Sequence, residues 1–466
     1  MIKKILIITF LSIFVSGLSA SAQEDKAAET LSLDKFISLA CARDREFEQI
    51  LIENLELKYK KKLALPADDI VISSKSEYVA LVKDQEQGYP VYDVSLSKLF
   101  PYTGTEMEAG YSSTLKSTAL DDVDAEFYTK VTQPVARNAF GRATRLLDKI
   151  TGMEIDIARY QIVEAYELYL SSIIRIYYNW YEAYENVKTA KNSYDKSMEL
   201  LKNVEDRAKN NIALPVDVNK VKLQVLEKKE TLIAVRRQYD EYTNLMKKSL
   251  GSEMEEEFLP DPADQYEGVT IDFVEDYKKF REESRTSKIL DMLEEQSDLE
   301  VDKDADDLLP SIDLYAEYSI IADDRDLERD NKKVIAGMTI EYPFPGQVEH
   351  AEYETSKVEH KKSVLEKINT HISLYADLKN IYETIEETRE LIKIADEKIE
   401  VAQSIVDDDA VNYSYGKVIL NNFIDEVNRL DSNKFSKIQY SITLKKLIID
   451  WLTLTDQLIR KKDLAL

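Results

Sequence analysis

NNIALPVDV, residues 210–218, interrupts a long stretch of helical pattern that flanks it on both sides. Asn210, Asn211 and Pro215 are poor helix-interior residues, because Asn competes for backbone hydrogen bonds and Pro lacks an N–H. The chain is expected to end one helix and start another here. YGKVILNNF, residues 415–423, makes a similar interruption in the second half.

Each break is preceded by the same interval. Gly141 and Asn211 lie 70 positions apart, and so do Gly346 and Gly416. Both intervals open where strand-like sequence gives way to helix at a Pro-then-Gly junction, TQPVARNAFG (132–141) and EYPFPG (341–346). An interval shared by two halves of a chain is the mark of an internal repeat.

The first repeat spans 23–251. It reads as helix from about Leu31 to Leu65, strand-like segments to Val135, a long helix from Arg142 to the break, and a further helix from Pro215 to Leu250. Residues 252–272, with Pro260 and Pro262, read as a linker. The second repeat spans 273–466, with helix over 273–306, strands over 311–342, a long helix after Gly346, a break around 413–422, and helix to about Arg460.

The lengths restrict the architecture. A helix filling the interval before each break is roughly 100 Å long at 1.5 Å per residue. The shorter helices of each repeat, stacked end to end, match that length. No globular core requires helices of this size; a rod, a coiled coil or a tube does.

Composition narrows the partners. A formal charge of −26 excludes nucleic acid, and is otherwise the mark of a long solvated surface. Cys41 is the single cysteine, so no internal disulfide forms, and it is expected to be a small packed residue. The 28 tyrosines suit core, pore lining or membrane-interface positions. Residues 1–22 have the pattern of a signal peptide: Lys3 and Lys4, an apolar run from Ile5 to Val15, and Ala20-Ser21-Ala22 before a mature start at Gln23. That run is too short to span a bilayer as a helix.

The strand-like segments alternate. TEMEAGYSSTLK (105–116) puts Met107, Ala109, Tyr111, Ser113 and Leu115 on one face and Glu106, Glu108, Ser112 and Thr114 on the other. SIDLYAEYSI (311–320) and KVIAGMTIEY (333–342) repeat the pattern. Ten-residue segments with one apolar and one polar face are typical of transmembrane β-strands around a polar lumen. Soluble antiparallel sheets with one wet face carry the same pattern.

Taken in order, LSLDKFISLA (31–40), the two strand-to-helix junctions and the two breaks resemble the TolC-like outer-membrane efflux protein family, and the resemblance covers essentially the mature chain. It implies a mainly α fold with β, whose duplicated helix–strand–helix repeat forms a trimeric α-helical barrel joined to an outer-membrane β-barrel. It also implies a homotrimer in outer-membrane lipid, serving a periplasmic adaptor protein and an inner-membrane pump as a passive exit duct. The family places two strands per repeat in its barrel. The first repeat here offers four (70–82, 91–99, 105–116 and 126–133) and the second two.

In the family the breaks are tight turns at the periplasmic tip, with a Gly followed six residues later by Asp-Val. Asn211 stands at the Gly position of the first, and Asp217-Val218 completes it. Asn is the non-Gly residue best suited to a left-handed turn, and Asp217 suits the first turn of the next helix. The second break keeps Gly416 but has Asn422-Phe423. The resemblance implies an adaptor-docking surface at Asn211, Ile212, Leu214, Asp217, Gly416, Lys417 and Val418. Near the same end, Asp407, Asp408 and Asp409 form an acidic run. Asp407 and Asp408 are candidates for a pore-narrowing ring of the kind the family builds; an ordinary wet surface is the alternative.

No catalytic constellation, phosphate-binding loop or cofactor motif stands out. His350, His360 and His371 are too widely spaced to bind a metal from one helix face, and solvated surface positions are expected for them. Two other classes compete with a duct. A periplasmic adaptor would need lipoyl-like and β-barrel modules around a single hairpin, and a soluble coiled-coil scaffold would lack alternating strands.

Overall fold

The computed structural model describes residues 29–79, 89–115, 123–251, 258–262, 266, 268–322 and 331–459. The leader segment lies outside the described residues. Among those described, the chain is mainly helical with one large sheet. In the first repeat come β1 (Glu29–Leu31), α1 (Leu33–Arg43), α2 (Arg45–Ala64), β2 (Ile70–Val79), β3 (Tyr89–Phe100), β4 (Thr105–Leu115), β5 (Val123–Pro134), α3 (Arg142–Lys209) and α4 (Pro215–Ser249). After β6 (Phe258–Pro260), the second repeat supplies α5 (Phe273–Glu283), α6 (Arg285–Asp307), β7 (Ser311–Ala322), β8 (Asn331–Glu341), α7 (Gln347–Ser414) and α8 (Leu420–Leu454).

The duplication is visible in the element lengths. Helices α3 and α7 each have 68 residues, and α4 and α8 each have 35. Helices α7 and α8 begin and end 205 positions after α3 and α4, whereas α5 and α6 begin 240 positions after α1 and α2. The offset of 205 carries the start of β4 onto the start of β7 within one residue, so the β4–β5 hairpin is the counterpart of β7–β8. Among the described residues, the β2–β3 hairpin has no counterpart in the second repeat.

Two expected helices are each divided. The one read over 31–65 breaks at Asp44, whose ψ of 125° is extended. The one read over 273–306 breaks at Ser284, whose hydroxyl accepts a bond from the Ser287 N–H and caps α6. Inside the segment read as a linker, β6 forms a short parallel pair with β1. Three residues are too few to show a strand period in sequence.

Strands from both repeats join in one antiparallel sheet of order β2-β3-β4-β5-β7-β8. Pairing of Ala316 with Ala336 and with Val131, and of Val131 with Met107, puts the apolar faces read from the sequence on one side. The entry into each long helix depends on glycine. Gly141 has φ 74°, and a Cβ there would lie 2.4 Å from the Tyr102 carbonyl oxygen, so only Gly fits.

The main core lies about 40–55 Å along α3, where α1, α5, α7, α8 and the β1–β6 pair converge on it. Phe36, Tyr177, Tyr178 and Trp180 pack together, with Tyr177 donating its hydroxyl to the Leu31 carbonyl at 2.8 Å. A second aromatic group joins Phe273, Tyr277, Tyr375, Tyr382 and Trp451. Many tyrosines are therefore core residues. Cys41 is half-buried at the edge of this core, where burial pushes its thiol pKa up.

Candidate functional site

Far from that core, α3–α4 and α7–α8 form two helical hairpins whose tips lie side by side. The turns are built alike. Asn211 has φ 56° and Gly416 φ 74°, both left-handed. The Ile212 N–H donates to the Arg207 carbonyl at 2.9 Å and the Asn211 N–H to Ala208 at 3.0 Å. In the second turn Lys417 donates to Asn412 at 2.9 Å and Gly416 to Tyr413 at 3.0 Å. This is the paired bonding by which a left-handed residue satisfies the last carbonyls of a helix. In the first turn the Asp217 carboxylate accepts from the Leu214 N–H at 3.4 Å, at the positive end of α4.

Residues the sequence did not single out join the two tips. The Arg207 guanidinium donates to the carbonyls of Tyr413 and Ser414, each at 3.3 Å, and lies 4.8 Å from the centre of the Tyr413 ring. Tyr413 in turn stacks on Phe423, with ring centres 5.9 Å apart. Burial raises the Tyr413 pKa, partly offset by Arg207. Arg207 and Tyr413 are 206 positions apart, so no local pattern could have paired them. Beneath them Val204, Val221 and Leu420 are buried together.

A groove of about 380 Å³ opens between the tips, lined by Arg207, Ile212, Leu214, Asp217, Gly416 and Val418 among others. Its rim is apolar and bare: Ile212, Leu214 and Ile419 are each about two-thirds exposed. Lys417 is exposed beside it, with its ammonium 5.8 Å from the Tyr415 ring centre. The sequence-predicted tip residues are thus brought to one end of the molecule.

Asp407 and Asp408 sit about 10 Å before the end of α7. Both are exposed in the protomer, and Asp409 is half-buried. Gln403 donates to Asp407 at 2.8 Å. Asp407 is also felt across the hairpin by Lys434, whose pKa is lowered, first by burial and then by Lys196, against the opposing pull of Asp431 and Asp407.

The α3–α8 seam holds the hairpins together. Arg175 pairs with Asp450, Lys446 bonds Glu182 at 3.1 Å, and the Asp431 carboxylate accepts from Ser193 and, at 2.7 Å, from Lys228. The opposite flanks are unpaired in the protomer. On α7, Val358, Leu365, Ile368 and Ile372 are exposed at intervals of seven, three and four; on α4, Val216, Leu223, Leu226 and Ile233 recur at seven, three and seven. That spacing is the seam pattern of coiled coils.

The histidines differ from expectation in part. His350 is exposed, whereas His360 and His371 are half-buried. His360 Nδ1 lies 3.0 Å from Ser297 Oγ on α6. Burial lowers the His371 pKa, with Arg281 adding to the effect. Among the described residues no group of side chains is arranged to hold a metal ion.

At the other end of the long helices, the sheet exposes an apolar face. Ile72 (73%), Leu96 (48%), Met107 (47%), Leu314 (47%) and Met338 (58%) mark it across the strands. The opposite face carries Glu106, Glu108, Lys130, Glu317 and Lys333. There Gly110 and Gly337 leave room for the rings of Tyr128 and Tyr315, whose Cζ atoms would be 2.5 Å from a Cβ at either glycine. Among the described residues no helix is long and apolar enough to cross a membrane.

No family model matches the chain, and no curated protein matches it by sequence. Its structure is similar to that of CusC, studied for transmembrane channel formation, with TM-score 0.70 and 12% identity over 94% of this chain and 95% of that one. It is similar also to the outer membrane protein VceC of Vibrio cholerae, at TM-score 0.68 and 12% identity over 91% of this chain and 95% of that one. The Campylobacter jejuni CmeC outer membrane channel matches at TM-score 0.65 and 12% identity over 97% of this chain and 95% of that one. Over nearly its whole length, the chain has the fold of outer-membrane channel proteins.

Proposed function

We propose that this chain is one protomer of a homotrimeric exit duct, anchored in the outer membrane and extending through the periplasm. Cargo passes through it passively, while a periplasmic adaptor and an inner-membrane pump supply selectivity and energy. The observation that carries this reading is the exposed apolar face of a six-stranded sheet mounted on helices about 100 Å long. Such a face needs lipid to cover it, and its polar reverse suits a water-filled lumen. The apolar stripes on α7 and α4 support self-association, because each lacks a partner within the protomer. The test is fractionation followed by an unheated gel. A trimer released from the outer membrane only by detergent is expected; a soluble periplasmic monomer would end the duct reading.

The hairpin tips are the proposed adaptor contact, at Asn211, Ile212, Leu214, Asp217, Gly416, Lys417 and Val418. Replacing Asn211 and Gly416 with Val forces a β-branched residue into a left-handed turn, at roughly 1 kcal/mol or more each. Crosslinking to the adaptor and export are expected to fall while trimers still assemble. Undiminished crosslinking in a folded trimer would discredit the tip as the docking surface.

Asp407 and Asp408 are the proposed gate. Two aspartates from each of three copies would gather six carboxylates near the axis, attracting cations and repelling anions. In planar bilayers, Asp407→Asn with Asp408→Asn is expected to weaken cation selectivity and abolish block by multivalent cations. Unaltered selectivity and block would make the pair ordinary surface charge.

A further inference from the structure

The β2–β3 hairpin is the part of the sheet that the internal repeat does not explain, and it forms one edge of it. Its apolar face continues that of its neighbours, with Ser74, Ser76 and Lys98 as the polar residues on that side. Ile70, Ile72 and Tyr78 of β2, and Tyr92, Val94 and Leu96 of β3, lie on the same side as Met107 and Tyr111 of β4 through the pairings of Ile72 with Leu96 and Leu96 with Ala109. The β2 members of this set are among the most exposed apolar residues of the sheet, Ile72 at 73% and Tyr78 at 70%. A hairpin lying in water would have no reason to extend an apolar band.

The edges are equally telling. β2 has 10 residues and β8 has 11, and each pairs along one side only. In hydrocarbon, unpaired backbone N–H and C=O groups are too costly to persist, so a membrane sheet must close. Six strands cannot close on themselves around a lumen, since about eight give an interior only wide enough for side chains. Closure therefore needs further copies. β8 runs antiparallel to β7, and strand direction alternates through the sheet, so β2 of a second copy would meet β8 antiparallel.

We propose that β2–β3 belongs to the barrel wall, and that the free edge of β2 pairs with the free edge of β8 of a second copy. Resting on the trimeric duct reading above, this gives six strands from each of three copies, eighteen in all, around an aqueous lumen. Residue parity is fixed by the apolar face: even-numbered residues of β8, such as Met338 and Ile340, must lie on the same side as Ile70, Ile72 and Ser74.

The test is cysteine crosslinking in outer membranes, using the full chain with Cys41→Ser. Ile340→Cys is combined in turn with Ile70→Cys, Ile72→Cys or Ser74→Cys, and separately with Met107→Cys or Ala109→Cys of β4. Ala316→Cys with Ala336→Cys, directly paired within one chain, reports that the sheet is folded and oxidisable. One of the β2 combinations is expected to convert most of the monomer band to crosslinked trimer on a denaturing, non-reducing gel. Trimers on an unheated gel whose crosslinks form only with β4 would overturn the proposal, leaving β2–β3 outside a twelve-stranded wall while the duct reading survives. Absence of any trimer on the unheated gel would overturn both.

Discussion

Replacing Glu167 with Ala is expected to destabilise the protein by about 3–5 kcal/mol, because it strips the partner from a buried cation. Glu167 is 1% exposed, at the main core on α3. One carboxylate oxygen pairs with Arg285 at the start of α6. The other accepts the backbone N–H groups of Leu458 and Ile459, at 2.9 and 3.2 Å, and so fixes the chain beyond α8. Arg285 also reaches Asp456 at 3.1 Å, but that second carboxylate cannot supply the lost bonds to the backbone. Glu167→Gln keeps an acceptor for Leu458 and should cost less. Equilibrium unfolding of the detergent-solubilised protein measures both. A loss below about 1 kcal/mol for Glu167→Ala would mean that the cluster contributes little beyond packing.

Met338→Arg is the second large effect, and it distinguishes a membrane sheet from a wet one. Met338 is 58% exposed on the apolar face of β8, between Ala336 and Ile340. Facing lipid near mid-bilayer, an arginine there costs about 2–4 kcal/mol, falling towards zero near an interface. Facing water, the same change is within about 0.5 kcal/mol of neutral. The expected result is loss of assembled trimer from the outer membrane, whereas Thr339→Arg on the opposite face leaves assembly intact. Equal tolerance of both substitutions would count against lipid on the Met338 side.

What was legible in the sequence follows from the range of each signal. The long helices, their breaks at Asn211 and Gly416, and the strands were readable because each rests on a local period or a backbone requirement. The divisions at Asp44 and Ser284 were not, since good helix formers flank both and no Pro or Gly marks them. Ser284 is a suitable N-cap, but that signal is weak inside a helical pattern. Four strands in the first repeat were legible; their union with the second repeat's pair in one sheet was not, because register is a long-range property. The same limit hid Arg207 against Tyr413 and Glu167 against Arg285. The sequence did supply the residues of the candidate tip, though not the cation that ties one turn to the other.

The equal lengths of paired helices have a consequence for how such a molecule can change. Removing seven residues from α3 and seven from α4 would withdraw one tip by about 10 Å. The other tip would stay where it was, and Arg207 would face the side of α7 rather than its end. The groove between the turns would cease to exist. Reach can therefore be altered only by matched edits at four places in the chain, two in each repeat. Shorter or longer descendants should differ by whole helical repeats made in tandem, so the gap to be bridged is inherited as a single graduated dimension rather than adjusted helix by helix.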